Sequence, residues 1–151
     1  MATEGRRSIV KYENQKQRAL CDALEDLKRL QDLLTNSWSK YYGHLFTKIV
    51  GSDTIPFFLL TTESSMMRIY DSKMKLETCY FRIEAVEKSK QQITLSLLRA
   101  LDSEENETNV IKDIVRLEKT DSQVTINLRS ILAVQLLEPA LLSRDLYVEK
   151  W

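Results

Sequence analysis

From Leu20 onward, apolar residues recur at three- and four-residue spacing: Leu20, Ala23, Leu24, Leu27, Leu30 and Leu34. Glu25, Asp26, Lys28, Arg29 and Asp32 fill the other side. This is the pattern of an amphipathic helix laid on a core. Asn14 is the predicted N-cap, and Thr35-Asn36-Ser37 ends the pattern. The positions 23, 27, 30 and 34 alternate four and three, as in a coiled-coil seam, but too briefly to sustain one. Trp38–Val50 repeats the helical spacing with Trp38, Tyr41, Tyr42, Leu45, Phe46 and Ile49. Gly43 weakens that second helix by about 1 kcal/mol relative to Ala. Residues 1–13 are mixed and partly basic (Arg6, Arg7, Lys11) and read as a flexible arm.

After the turn Gly51-Ser52-Asp53 the period shortens to two. Ile55–Thr61 is short and apolar, and Pro56 near its start suits an edge or first strand position. Met66–Tyr70 is a second short strand. Leu76–Val86 alternates, with Cys79, Phe81, Ile83 and Ala85 on one face and Thr78, Tyr80, Arg82 and Glu84 on the other. Lys88-Ser89-Lys90 turns the chain into Gln91–Leu101, where Ile93, Leu95 and Leu97 share a face. Asp102–Asn109 is a solvated loop. Val110–Glu118 fits a short helix or a strand. Gln123–Leu128 alternates again, Arg129-Ser130 bends, and Ile131–Leu137 is apolar on both faces, as a central strand is. Ala140–Trp151 carries scattered apolar residues. The expected fold is α+β: an N-terminal helical hairpin followed by about six mostly antiparallel strands forming a small sandwich or barrel. It is one domain over residues 14–142, with a C-terminal tail at 143–151.

Composition narrows the function classes. A chain of 151 residues, 43% hydrophobic, with 3 Gly and 2 Pro, is neither fibrous nor low-complexity. Lys+Arg and Asp+Glu are each 22, so the formal net charge is zero. Phosphate-neutralising domains carry a basic excess, so nucleic acid is not the expected partner. The longest apolar runs, Ile55–Leu60 and Ile131–Val134, are too short for a secretory signal or a membrane span.

The residues that carry chemistry are sparse. The glycines Gly5, Gly43 and Gly51 form no phosphate-binding loop. Cys21, Cys79 and the single histidine His44 lack the spacing of a zinc site, and no orienting group completes a Cys–His nucleophile. No metal or cofactor is expected, and a Cys79/His44 thiol enzyme is the weakest of the function classes. Apolar surface, in contrast, is abundant. Trp38, Tyr41 and Tyr42, the pair Met66-Met67, and Leu146, Val148 and Trp151 are candidate assembly contacts, since aromatic and Met side chains concentrate at interface centres. The alternative is that they fill the domain's own core.

An ordered series of segments then stands out. Cys21-Asp22-Ala23-Leu24-Glu25-Asp26-Leu27 precedes Asp53-Thr54-Ile55-Pro56-Phe57-Phe58-Leu59-Leu60 and Phe81-Arg82-Ile83-Glu84-Ala85-Val86. Thr94-Leu95-Ser96-Leu97-Leu98-Arg99, Arg116-Leu117-Glu118-Lys119-Thr120, Val124-Thr125-Ile126-Asn127-Leu128 and Ala133-Val134-Gln135-Leu136-Leu137-Glu138-Pro139 follow. The series, over residues 20–142, resembles the CotY/CotZ family of spore coat proteins, which includes the exosporium protein ExsY. The resemblance implies a structural, non-enzymatic protein of the endospore outer coat or exosporium. It implies assembly with itself and with other coat proteins, and synthesis in the mother-cell cytoplasm without a signal peptide. It also implies intermolecular disulfides, for which Cys21 and Cys79 are the candidates. The family is rich in cysteine, yet Thr120–Leu137 holds none here. This cysteine-poor chain therefore either assembles without covalent links or acts as an adaptor anchoring a filament or appendage to the coat.

Overall fold

The computed structural model describes residues 2–35, 54–137 and 147–148, with side chains described over 15–33 and 54–137. Helix α1 runs Ala2–Thr35. It begins well before the expected cap at Asn14, through the stretch read as an arm. That stretch carries Glu4, Arg6, Arg7, Lys11 and Glu13, which lose little side-chain freedom in a helix, against Gly5 and the β-branched Thr3, Ile9 and Val10. The buried positions of α1 are Leu20, Cys21, Leu24, Leu27 and Gln31. The stripe through 23 and 30 is not the inner face: Ala23 and Leu30 are exposed. The second helix expected over Trp38–Val50 lies outside the described residues.

The strands are β1 (Phe57–Thr61), β2 (Ile69–Asp71), β3 (Leu76–Thr78), β4 (Phe81–Glu87), β5 (Gln92–Leu101), β6 (Arg116–Asn127), β7 (Ile131–Leu136) and β8 (Tyr147–Val148). β2 and β3 form a separate two-stranded ribbon, and the others form one sheet in the order β7-β1-β4-β5-β6-β8. Every pairing is antiparallel except β6 with β8. The fold is thus α+β, with one described helix.

Several boundaries differ from the pattern. Leu76–Val86 is not one strand but β3 and β4, interrupted at Cys79-Tyr80. Tyr80, which the alternation groups with the polar Thr78, Arg82 and Glu84, is completely buried. A bulge between Ile83 and Ala85 shifts the alternation, so Val86 rather than Ala85 packs on the core. The ambiguous 110–118 stretch divides into a 3-10 turn at Ile111–Asp113 and the start of β6. Ile131–Leu137, expected in the sheet's middle, is at its margin as β7. Of the two positions that Pro56 suits, edge strand or strand start, the edge one fails for Ile55–Thr61: the strand is interior as β1, between β7 and β4, and Pro56 stands directly before it. The Pro56 carbonyl accepts the Leu137 amide at 3.0 Å, extending the β1–β7 ladder by one bond, while the residue lacks the N–H that would return a second.

β6 and β7 are separated in the sheet by β5, β4 and β1, yet only the 3-10 turn Leu128–Ser130 joins them. In a flat sheet they would stand about 19 Å apart, at roughly 4.8 Å per step. The short connection spans at most about 15 Å. The sheet therefore curls and draws its margins together at that end. The Leu128 amide on the Gln91 carbonyl (2.9 Å) and the Thr62 amide on the Ser130 carbonyl (3.1 Å) fasten the turn. Among the described residues β6 and β7 do not pair with each other.

Two apolar clusters lie on opposite faces of the sheet. The larger joins Leu20, Leu24 and Leu27 of α1 to Phe57, Leu59, Phe81, Ile83, Ile93, Leu95 and Leu97. Phe57 and Phe81 meet at its centre with ring centroids 6.3 Å apart. Burying each such side chain contributes about 1.5–3 kcal/mol. The smaller cluster holds Phe58, Cys79, Tyr80, Leu98, Ala100, Ile114, Leu117 and Leu137.

Candidate assembly surfaces

The two thiols are in separate places. Cys21, on the inner side of α1, is 2% exposed, and Cys79, between β3 and β4, is 1% exposed. Both are free. Burial pushes the Cys21 thiol above its ordinary value; Glu25 and Asp22 add to this, and Lys88 opposes it. Burial also raises Cys79, against smaller opposing effects of Tyr80 and Arg68. A raised thiol holds little thiolate at neutral pH, and thiolate is the form that exchanges disulfides.

Met66 and Met67 do not act as one patch. Each is partly buried, Met66 against the smaller cluster and Met67 against the larger. Met67 donates its amide to the Leu59 carbonyl at 2.8 Å, tying this loop to β1. Val148 lies in β8, where its backbone pairs with Leu117 of β6. Trp38, Tyr41, Tyr42, His44, Leu146 and Trp151 lie outside the described residues.

The face opposite α1 carries a polar centre that spacing alone did not single out. Arg82 of β4 donates to Glu84 at 2.6 Å and to the Thr54 hydroxyl at 3.0 Å. Ser96 of β5 donates to the same Glu84 oxygen at 2.6 Å, and Lys119 of β6 approaches it to 4.0 Å. Burial pushes Glu84 up, but the bonds from Ser96 and Arg82, with the charges of Arg82 and Lys119, outweigh it and hold the carboxyl below its ordinary range. Arg82↔Ser96 is a facing pair in the β4–β5 register, so the centre is a cross-strand clamp over three strands. Every group in it is engaged as an ion pair or hydrogen bond, which suits rigidity rather than turnover. Among the described residues, no group of three or more His, Cys, Asp or Glu is placed to hold a metal ion.

Large apolar side chains that do reach solvent are Tyr70 (64%), Val110 (47%), Leu136 (44%), Leu30 (41%), Leu33 and Met74. None was among the expected contacts. Leu30 belongs to the apolar stripe of α1 and Leu136 to a run apolar on both faces, so the apolar pattern itself conceals their exposure.

Comparison with known proteins bears on what such a scaffold serves. Over 103 residues the sequence is 30% identical to spore coat protein Z of Bacillus subtilis (strain 168), covering 61% of this chain and 68% of that protein. The chain belongs to the spore coat protein Z family. No protein-family model matches it, and no solved structure does. A coat protein of this family has a structural role, which agrees with a site built of core and clamp. Among the described residues, no helix is long and apolar enough to cross a membrane.

Proposed function

We propose that this chain is a self-assembling structural subunit of the outer coat or exosporium of an endospore, made in the mother cell and joined to other coat proteins by non-covalent contacts. Its relationship to spore coat protein Z carries this reading. The buried state of Cys21 and Cys79 supports the non-covalent part, because each thiol must be uncovered before it can bridge two subunits. The exposed apolar residues of the sheet and loops supply the adhesive surface. Zero formal charge leaves little repulsion between copies.

A second reading is favoured by the same buried thiols. A chain with no accessible cross-linking cysteine is suited to be an adaptor, holding a different component such as a filament or appendage on a coat that others build.

Negative-stain imaging with mass measurement, with and without reductant, separates the two. Sheets, rings or large oligomers that survive reductant support the non-covalent subunit. A small, uniform species under both conditions favours the adaptor. Large species that reductant dissolves overturn the non-covalent reading.

A further inference from the structure

The sheet has two outer margins, and they differ in kind. β6 is covered by β8 only at Arg116 and Leu117. Beyond them the margin runs through the charged Glu118, Lys119 and Asp121 to the uncharged residues 122–127, and a bulge breaks its register with β5 between Ser96 and Leu98. Charge and bulges are the devices that keep an edge from pairing with another chain. β7, at the other margin, reads Ile-Leu-Ala-Val-Gln-Leu, with no charge. Its bulge lies at its start, where Thr61 faces Ile131 and Leu60 faces Ala133. Beyond that point the strand is regular.

The direction of its backbone groups follows from one bond. Leu137 donates to the Pro56 carbonyl, so its amide points toward the β1 side. Backbone polarity alternates along a strand. Gln135 and Ala133 therefore also face β1, opposite Phe58 and Leu60, whereas Val134 and Leu136 turn their N–H and C=O groups outward. Among the described residues these outward groups meet no partner. Val134 packs partly on the larger cluster, and Leu136 beside it is 44% exposed.

We infer that the β7 margin is the surface through which two copies of this chain pair, strand against strand, into one continuous sheet. The inference rests on the self-assembly reading above and names its contact. The occupant is a second copy because the margin is complementary to itself. Two antiparallel β7 strands related by a two-fold axis set Val134 of each against Leu136 of the other. Each residue then exchanges both backbone groups, and apolar side chains meet apolar side chains on the helix-side face. Such an isologous contact closes after one pairing. A lattice then needs a further surface, which the exposed residues away from this margin provide.

The test uses the full chain. Leu136→Pro removes an outward N–H that the subunit's own sheet does not use, so the fold survives. Gln135→Pro removes an inward one and destabilises the subunit itself. Leu136→Lys leaves the backbone intact and adds a charge at an exposed position. Light scattering over a concentration series should show wild type at twice the single-chain mass or more, and both Leu136 variants weakened by at least about tenfold, about 1.4 kcal/mol in association. In unmutated protein, amide exchange at Val134 and Leu136 should slow as concentration rises. If wild type associates while the folded Leu136 variants keep its mass, or while exchange at these amides ignores concentration, the β7 contact is overturned and self-assembly stands. A wild type that stays single at every concentration overturns both.

Discussion

The Gln31 side-chain amide donates to the Ile83 carbonyl at 2.9 Å, reaching from α1 to the backbone of β4. The same amide accepts the Ile55 N–H at 3.4 Å. Phe57 faces Phe81 in the β1–β4 ladder, so a continued antiparallel register would set Ile55 opposite Ile83. The strands part after that single rung, and Gln31, 1% exposed, stands in the gap as a substitute peptide group. A carbonyl and an N–H that lose their strand partner are thus satisfied by one helical residue.

Gln31→Leu keeps the volume and leaves both backbone groups unpaired. It should cost about 2–4 kcal/mol in denaturant unfolding, from two buried groups at about 1–2 kcal/mol each. Gln31→Glu should cost more at neutral pH, because a carboxylate cannot donate to Ile83. It should recover as pH falls and the acid regains its proton. A Gln31→Leu variant as stable as wild type would remove the bridge from the account of the fold.

Glu84 gives the subunit an acid-sensitive clamp. Its carboxyl is held below the ordinary range in the folded state, so the stability it adds is fully present above that range. It is lost as pH falls through the lowered value. Glu84→Gln should flatten the dependence of unfolding free energy on pH in the acid range and lower stability at pH 7. Glu84→Ala strands Arg82, whose side chain is only 12% exposed, and should cost more than Glu84→Gln. Equal acid sensitivity in wild type and Glu84→Gln would place the titrating group elsewhere.

The α+β class, the strand-rich second half and most strand positions were legible from period-two alternation, because that pattern reports burial on one face. What escaped were features set by long-range pairing. Whether Ile131–Leu136 is central or marginal depends on which strands flank it, and an uncharged run looks alike in both places. The interruption at Cys79-Tyr80 was hidden because the alternation passes through it unchanged, while Tyr80 turns inward to the second cluster. Gln31 stands out in neither the apolar nor the charged pattern of the helix; only the parting of β1 from β4 gives it a buried role. The Arg82–Glu84–Ser96 clamp was half visible, since Arg82 and Glu84 share a face, but Ser96 joins them only through the β4–β5 register.

The thiols should behave as core groups. Alkylation of Cys21 and Cys79 at pH 7 should be slow in the folded protein and fast after denaturation. Each unit by which burial raises the pKa removes about tenfold of the thiolate, and exclusion of reagent adds to it. Replacing both with Ala should leave assembly mass unchanged under oxidising conditions. Rapid labelling of the native protein, or loss of large species in the double variant, would restore a cross-linking role for Cys21 or Cys79.

The tail has a structural partner within its own chain. β8 adds a parallel pairing to β6, setting Tyr147 against Arg116 and Val148 against Leu117. Leu117 is fully buried in the smaller cluster, so this short strand ends the sheet beside that cluster. Truncation after Ser143 removes β8 and uncovers the backbone of Arg116 and Leu117. It should lower unfolding stability by about 1–2 kcal/mol, at roughly 1 kcal/mol per hydrogen bond lost. The same variant tests the proposed interface role of Leu146, Val148 and Trp151 by a separate readout. Measured below its unfolding temperature, a truncated chain that keeps wild-type assembly mass withdraws all three from the contact. One that dissociates while remaining folded shows that the tail binds a neighbour as well as its own sheet.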